Sequence, residues 1–139
     1  MSLALILSSY VAAGRMGGGG QMLALAACGI EPVLVPTVML GRSPARGGRG
    51  RAVEADLFGL LIDDIAKDGL LPAIDLVLTG HFSLPEQVEH AAHALAAVRA
   101  ANPGAVILVD PVLGDEPKGL YVKPQVADAV AALLVPLAD

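Results

Sequence analysis

Four apolar runs of strand length punctuate the 139 residues: LALILS at 3–8, VLVPT at 33–37, IDLVLT at 74–79 and AVILV at 105–109. Stretches with helical spacing separate them, and that alternation leaves few folds open. A parallel return between strands needs a crossover long enough to hold a helix, so strands alternating with helices form a parallel sheet with right-handed connections and helices on its faces. The runs hardly alternate apolar with polar, as befits strands covered on both sides. Apolar residues make up 55% of the chain and aromatic ones only 3%, so the core has to be built from Ala, Leu, Val and Ile. The expected architecture is α/β: one domain, a mostly parallel sheet, and helices on both faces.

Local signals fill in the order. The first strand leads into GRMGGGGQ, read as a glycine turn, and MLALAAC then has the length and alanine content of a short helix. Hydropathy over residues 22–40 looks membrane-like, but Glu31, Pro32 and Pro36 interrupt it, which fits a helix followed by a buried strand and not a membrane span. The following segment, about residues 41–52, mixes glycine and proline with four arginines and cannot bury enough surface to pack, so a mobile loop is expected. Leu57, Leu60, Leu61 and Ile65 recur at helical spacing and Gly69 closes that helix. In SLPEQVEHAAHALAAVRAANPG, Ser83 reads as the N-cap, Pro85 as a first-turn residue and Asn102-Pro103-Gly104 as the stop. A last helix is expected over residues 124–134.

Charge narrows the ligand. The net charge of −5 lacks the basic face that neutralises phosphate backbones, which excludes a nucleic-acid binder and favours a small molecule. Cys28 is the only cysteine and can form no internal disulfide, and the first residues carry no secretory pattern, so a cytoplasmic protein is expected.

Ligands of open parallel sheets bind beyond the carboxyl ends of the strands, where loops converge and helix N-termini point. Four places follow strands here: Ser8, Ser9 and Tyr10 with the glycines; Thr37 with the arginine segment; Thr79, Gly80 and His81; and Asp110 with Asp115. The glycines match neither standard nucleotide motif. A G-x-G-x-x-G started at Gly17 meets Met22 in sixth place, and a P-loop started at Gly14 meets Gly20 where lysine is required. They still permit close backbone approach, either for an anionic or polar ligand group or for simple packing on the sheet. Asp110 ends an apolar strand and should turn into the crevice. Asp115, five residues on, can face the same volume, and two carboxylates there suit Mg²⁺ alongside substrate phosphates or else cap the turn's own amides. His81 fits ligand contact or loop packing equally. His90 and His93, one helical turn apart, fit an exposed polar face better than a metal site.

Taken together, ILSSYVAAGRMG, VPTV, VLTGH, VRAANPGAVILVDPVLGDEPKGLYVKP and LLVPLAD resemble, in order and spacing, the N-terminal portion of the pyridoxal kinase family, within the ribokinase-like superfamily. The resemblance implies a three-layer ribokinase-like fold, here truncated. It implies transfer of the γ-phosphoryl group of ATP to the 5′-hydroxymethyl group of a B6 vitamer, with Mg²⁺ and a monovalent cation, by a homodimer. It places Ser9, Thr37 and His81 on the substrate side, and Asp110, Asp115 and Tyr121 on the nucleotide side with Asp110 at the metal. It also makes the 41–52 segment a flap over the substrate, which keeps water from the transferred group.

The likeness is incomplete. Tyr10 and Ala13 replace a common histidine and a bulkier residue, Gly18 replaces an asparagine, and His81 stands where a tyrosine is usual. The family's G-T-G-D anion hole with its catalytic aspartate, and its T-P-N motif, are not among these residues, and Asp115 lacks the paired glycines of that hole. The expectation is a truncated kinase, in preference to a degenerate relative, inactive by itself. A hydroxymethylpyrimidine kinase and a non-catalytic module binding a small heterocycle are the alternatives.

Overall fold

A computed structural model describes residues 2–139. Its main sheet has the order β3-β2-β1-β4-β5, with β1 (Leu3–Ala13), β2 (Glu31–Arg42), β4 (Ile74–Thr79) and β5 (Val106–Val109) parallel and the short β3 (Gly50–Ala52) antiparallel at one edge. α1 (Gly17–Ala27) packs against β1 and β2 on one face. On the other face α2 (Ala55–Lys67), α3 (Pro85–Ala101) and α4 (Pro124–Ala129) share one core with Leu3, Leu5 and Leu7 of β1, Val35, Val77 and Ile107. The odd residues of β1 face that core while Ala4 and Ile6, equally buried, face the α1 side, so the expected two-sided burial is met.

The sheet reverses its winding at its centre. From β1 the chain moves to β2 on one side, and from β4 to β5 on the other, so β1 and β4 are neighbours whose connections diverge. Such a switch point opens a crevice at the carboxyl ends of the two strands. The strands approach closely there: a Cβ on Gly80 would lie 2.3 Å from the Ser8 Oγ, and the Gly80 N–H donates to the Leu7 carbonyl at 2.9 Å. Below the crevice Phe58 and Phe82 meet edge to face at 6.4 Å, both buried, which contributes about 1 kcal/mol beyond their area.

Several expectations need correction. The glycines do not precede the first helix but form its first turn, because their missing side chains let α1 sit directly on β1. At Gly17, with φ +55°, a Cβ would lie 2.2 Å from the Ser9 Oγ, and at Gly18 one would lie 2.5 Å from Leu34. The arginine segment is not an irregular loop: β2 continues to Arg42, and β3 returns to pair Val38 with Ala52 and Leu40 with Gly50, making a hairpin whose tip includes a turn at Pro44–Arg46. Composition correctly signals its exposure but cannot reveal pairing that neighbouring β1 supports. Pro32 and Pro36 are tolerated because β3 covers only residues 38–40 of β2, leaving an unpaired edge beside them. Ser83 is not the cap of α3; Leu84 holds that position, and the Gln87 side chain reaches back to the N–H groups of Ser83 and Leu84. A small hairpin of β6 (Gly114–Asp115) and β7 (Gly119–Leu120) follows β5, and α4 continues through a wider turn at Val130–Leu134.

Candidate functional site

A cleft of about 870 Å³ opens at the switch point, within the range that holds a small ligand. β1 brings Ser8 and Ser9 to its floor, and α1 brings Gly17, Gly20 and Gln21 to one side. His81, just past β4, and Asp110, just past β5, line it too, with Asp115 and Tyr121 from the small hairpin region. The 38–52 hairpin supplies Leu40 and the tip residues Ser43, Pro44 and Ala45 as a roof.

Five of the six residues singled out on the sequence therefore share one cavity. Thr37 does not reach it. It is fully buried behind the wall, where its Oγ1 donates to the His81 carbonyl at 2.5 Å. Tyr10 and Thr79 also lie off the cleft surface. Sequence reading passed over Arg15, Gln21 and Lys118, which line the cleft. Two signals were available, since Lys118 lies in the same turn as Asp115 and Arg15 in the same glycine stretch as Gly17.

The electrostatics differ from end to end. Burial pushes the His81 imidazole below its ordinary 6.5, so the ring is neutral at pH 7, and its Nε2 lies 3.1 Å from the Ser83 Oγ. Across from it, 6.5 Å between ring centres, stands Tyr121. Partial burial, then the negative charges of Asp115 and Asp110, push the Tyr121 phenol above its ordinary value, so it remains a hydrogen-bond donor. Asp110 and Asp115 are exposed to the cleft and make no ion pair among the described residues. No three His, Cys, Asp or Glu side chains converge as a metal cage among those residues. Two free carboxylates fit a hard cation that keeps waters and takes its other ligands from a phosphate, and they do not fit a stand-alone metal centre. A second recess of about 520 Å³ between β2 and α2 is lined by apolar groups with Asp64 and Asp68 and gathers no comparable set of polar groups.

No helix is long and apolar enough to cross a membrane among the described residues. No family model matches the chain. It is 34% identical over 133 residues to the pyridoxine/pyridoxal/pyridoxamine kinase of Bordetella avium, a match covering 95% of this chain and 45% of that protein. Among solved structures it superposes on pyridoxal kinase from Leishmania donovani in complex with ADP and pyridoxine with a TM-score of 0.91 at 26% identity, over 99% of this chain and 48% of that one. A phosphomethylpyrimidine kinase from Clostridium difficile shares the fold, with a TM-score of 0.81 at 19% identity over 99% of this chain and 56% of that one. The chain thus spans about half the length of the curated relatives it matches, and its sheet and helices are those of the ribokinase-like fold.

Proposed function

We propose that this chain, which matches the N-terminal half of pyridoxal kinases along nearly its whole length, forms the substrate side of an ATP-dependent kinase acting on the 5′-hydroxymethyl group of pyridoxal or a related B6 vitamer. The observation that carries this reading is the single cleft that holds Ser9 and His81 together with Asp110, Asp115 and Tyr121. In this reading a planar ring with a hydroxyl and a ring nitrogen lies in the cleft that Ser9 and the neutral His81 line, roofed by Leu40 and Pro44. Thr37 acts from behind, holding the His81 backbone.

The nucleotide side follows from charge. Asp110 and Asp115 would hold the Mg²⁺ of the nucleotide, an ion that neutralises the charge of the transferring phosphoryl group. Arg15 and Lys118 bring positive charge to the same cleft, and the Tyr121 phenol donates to phosphate or ribose oxygens. The hairpin over the cleft excludes water, so that the phosphoryl group meets the alcohol. We place the anion hole and the aspartate that activates the alcohol in the half of the relatives that this chain does not match. A monovalent cation, a cytoplasmic location and homodimer assembly complete the reading.

The test has two arms. Calorimetry of this chain with pyridoxal is expected to show binding that weakens about tenfold in Ser9→Ala, for loss of one hydrogen bond in a desolvated site. A version completed with the half found in the relatives is expected to form pyridoxal 5′-phosphate from ATP, and Asp110→Asn is expected to lower kcat about a hundredfold or more. Unaltered binding and turnover in both variants would overturn the assignments. Faster turnover of a hydroxymethylpyrimidine than of any vitamer would move the protein to that second kinase class, whose fold the Clostridium difficile enzyme shares. Binding without turnover in the completed form would make it a non-catalytic module.

A further inference from the structure

Gln87 lies on the third residue of α3 and is completely buried. Its amide uses all four of its hydrogen-bonding positions. The Oε1 accepts from the N–H groups of Ser83 at 3.0 Å, just before the helix, and of Leu84, its N-cap, at 3.2 Å. The Nε2 donates to the Thr37 carbonyl at 2.8 Å and the Val53 carbonyl at 2.7 Å.

Reaching back to the start of α3 requires only the oxygen, and a glutamate at the same third position would supply it. The two N–H groups are directed elsewhere. Thr37 immediately precedes Val38, Val53 immediately follows Ala52, and Val38 pairs with Ala52 as the base of the hairpin that roofs the cleft. The Val53 N–H itself donates to the Thr37 carbonyl at 2.9 Å. One buried side chain therefore grips both strands at the base of the hairpin. With its other end it holds the 81–84 loop, whose His81 lines the cleft and whose His81 carbonyl is bound by Thr37.

We propose that Gln87 is a positioning residue: its amide locks the base of the 38–52 hairpin to the loop that carries His81, so that the base of the roof and the substrate wall move as one body. The proposal deepens the kinase reading, since it rests on that hairpin being the roof of the substrate cleft. Its consequence is that the hairpin flexes beyond its clamped base, at the arginine-rich tip, while the cleft wall keeps its shape.

Two variants separate clamp from cap. Gln87→Glu retains the oxygens that receive Ser83 and Leu84 but has no N–H for Thr37 and Val53; Gln87→Met keeps the volume and loses all four bonds. Trypsin reports on the hairpin directly, because Arg42, Arg46, Arg49 and Arg51 lie in it, and Arg99 in α3 serves as the internal reference. In Gln87→Glu, cleavage at the four hairpin arginines is expected to rise about tenfold relative to Arg99, with faster amide exchange at residues 39–53 and unchanged exchange in the first turn of α3. Gln87→Met is expected to loosen both regions. Pyridoxal affinity, measured by calorimetry, should fall in both variants in step with hairpin opening. Hairpin cleavage equal to that of the unaltered protein, or cleavage that rises equally at Arg99, would overturn the proposal, the second outcome marking a merely structural role. Absence of pyridoxal binding by the unaltered protein would instead count against the kinase reading, and the protease comparison would still decide the clamp.

Discussion

At the scale of single residues, His81 shows how burial turns a loop side chain into a functional one. The sequence could place it after a strand but could not tell ligand contact from packing; the structure has it line the cleft while the Phe82 beside it anchors against Phe58. Because burial lowers the folded pKa of His81 below 6.5, the unfolded chain binds the proton more readily. Its contribution to stability is complete above pH 6.5 and is lost as pH falls through the lower folded value. The thermal midpoint is therefore expected to drop between pH 7.5 and 5.5, and to drop less in His81→Gln, which keeps a polar group near the Nε2 position. Scanning calorimetry at the two pH values checks this, and equal drops in both proteins would refute it. Thr37 teaches the opposite lesson. Its position after a strand suggested a cleft residue, yet its hydroxyl found a nearer partner in a backbone carbonyl.

Among the elements, α1 is where composition misleads most. Its glycines look like a flexible turn because glycine lowers helix propensity, yet contact with β1 outweighs that cost. The positions are not equivalent. A Cβ at Gly17 would lie 2.2 Å from the Ser9 Oγ on a backbone of φ +55°, whereas at Gly19 the nearest atom would be 3.8 Å away. Gly17→Ala is expected to cost about 1–3 kcal/mol and to weaken pyridoxal binding by shifting Ser9. Gly19→Ala is expected to be neutral or to stabilise by up to about 1 kcal/mol. Denaturant unfolding of the pair measures both, and similar gains would show that helix propensity, not docking, governs this turn. The hairpin was missed for a related reason: its returning strand, Gly50–Ala52, is short and has no apolar pattern, and its pairing depends on β2 being held against β1.

The whole molecule is unevenly covered. α1 shields β1 and β2, but on the same face the register sets Val106 and Leu108 of β5 beside Leu76 and Leu78, and both are about half exposed, at 51% and 48%. Beyond β5, the edge is met by Asp139, whose N–H donates to the Ile107 carbonyl and whose carboxylate accepts from the Ile107 N–H and Arg99, each at 2.7 Å. These bonds, the backbone one foremost, hold the Asp139 carboxyl below its usual range. A part-covered apolar face beside a sheet edge favours association. Replacing Val106 and Leu108 with threonine is expected to cost at most about 1 kcal/mol in unfolding while reducing self-association of this chain in sedimentation equilibrium. An unchanged association state would show that this face is not the adhesive one.

The sequence by itself determined the α/β alternation, the starts of all four parallel strands to within two residues, and the serine, histidine and acids near the cleft. These follow from local periodicity and from what buried strands tolerate, and neither needs long-range contacts. β1 and β2, however, run on to Ala13 and Arg42, five residues past the ends expected. Only the tertiary structure decided that Ser9, His81, Asp110, Asp115 and Tyr121 share one cleft, that Thr37 stands behind it, and that Gln87 joins roof to wall. Such relations arise between segments distant along the chain, where sheet order sets the neighbours and each polar group takes the partner that packing leaves within reach.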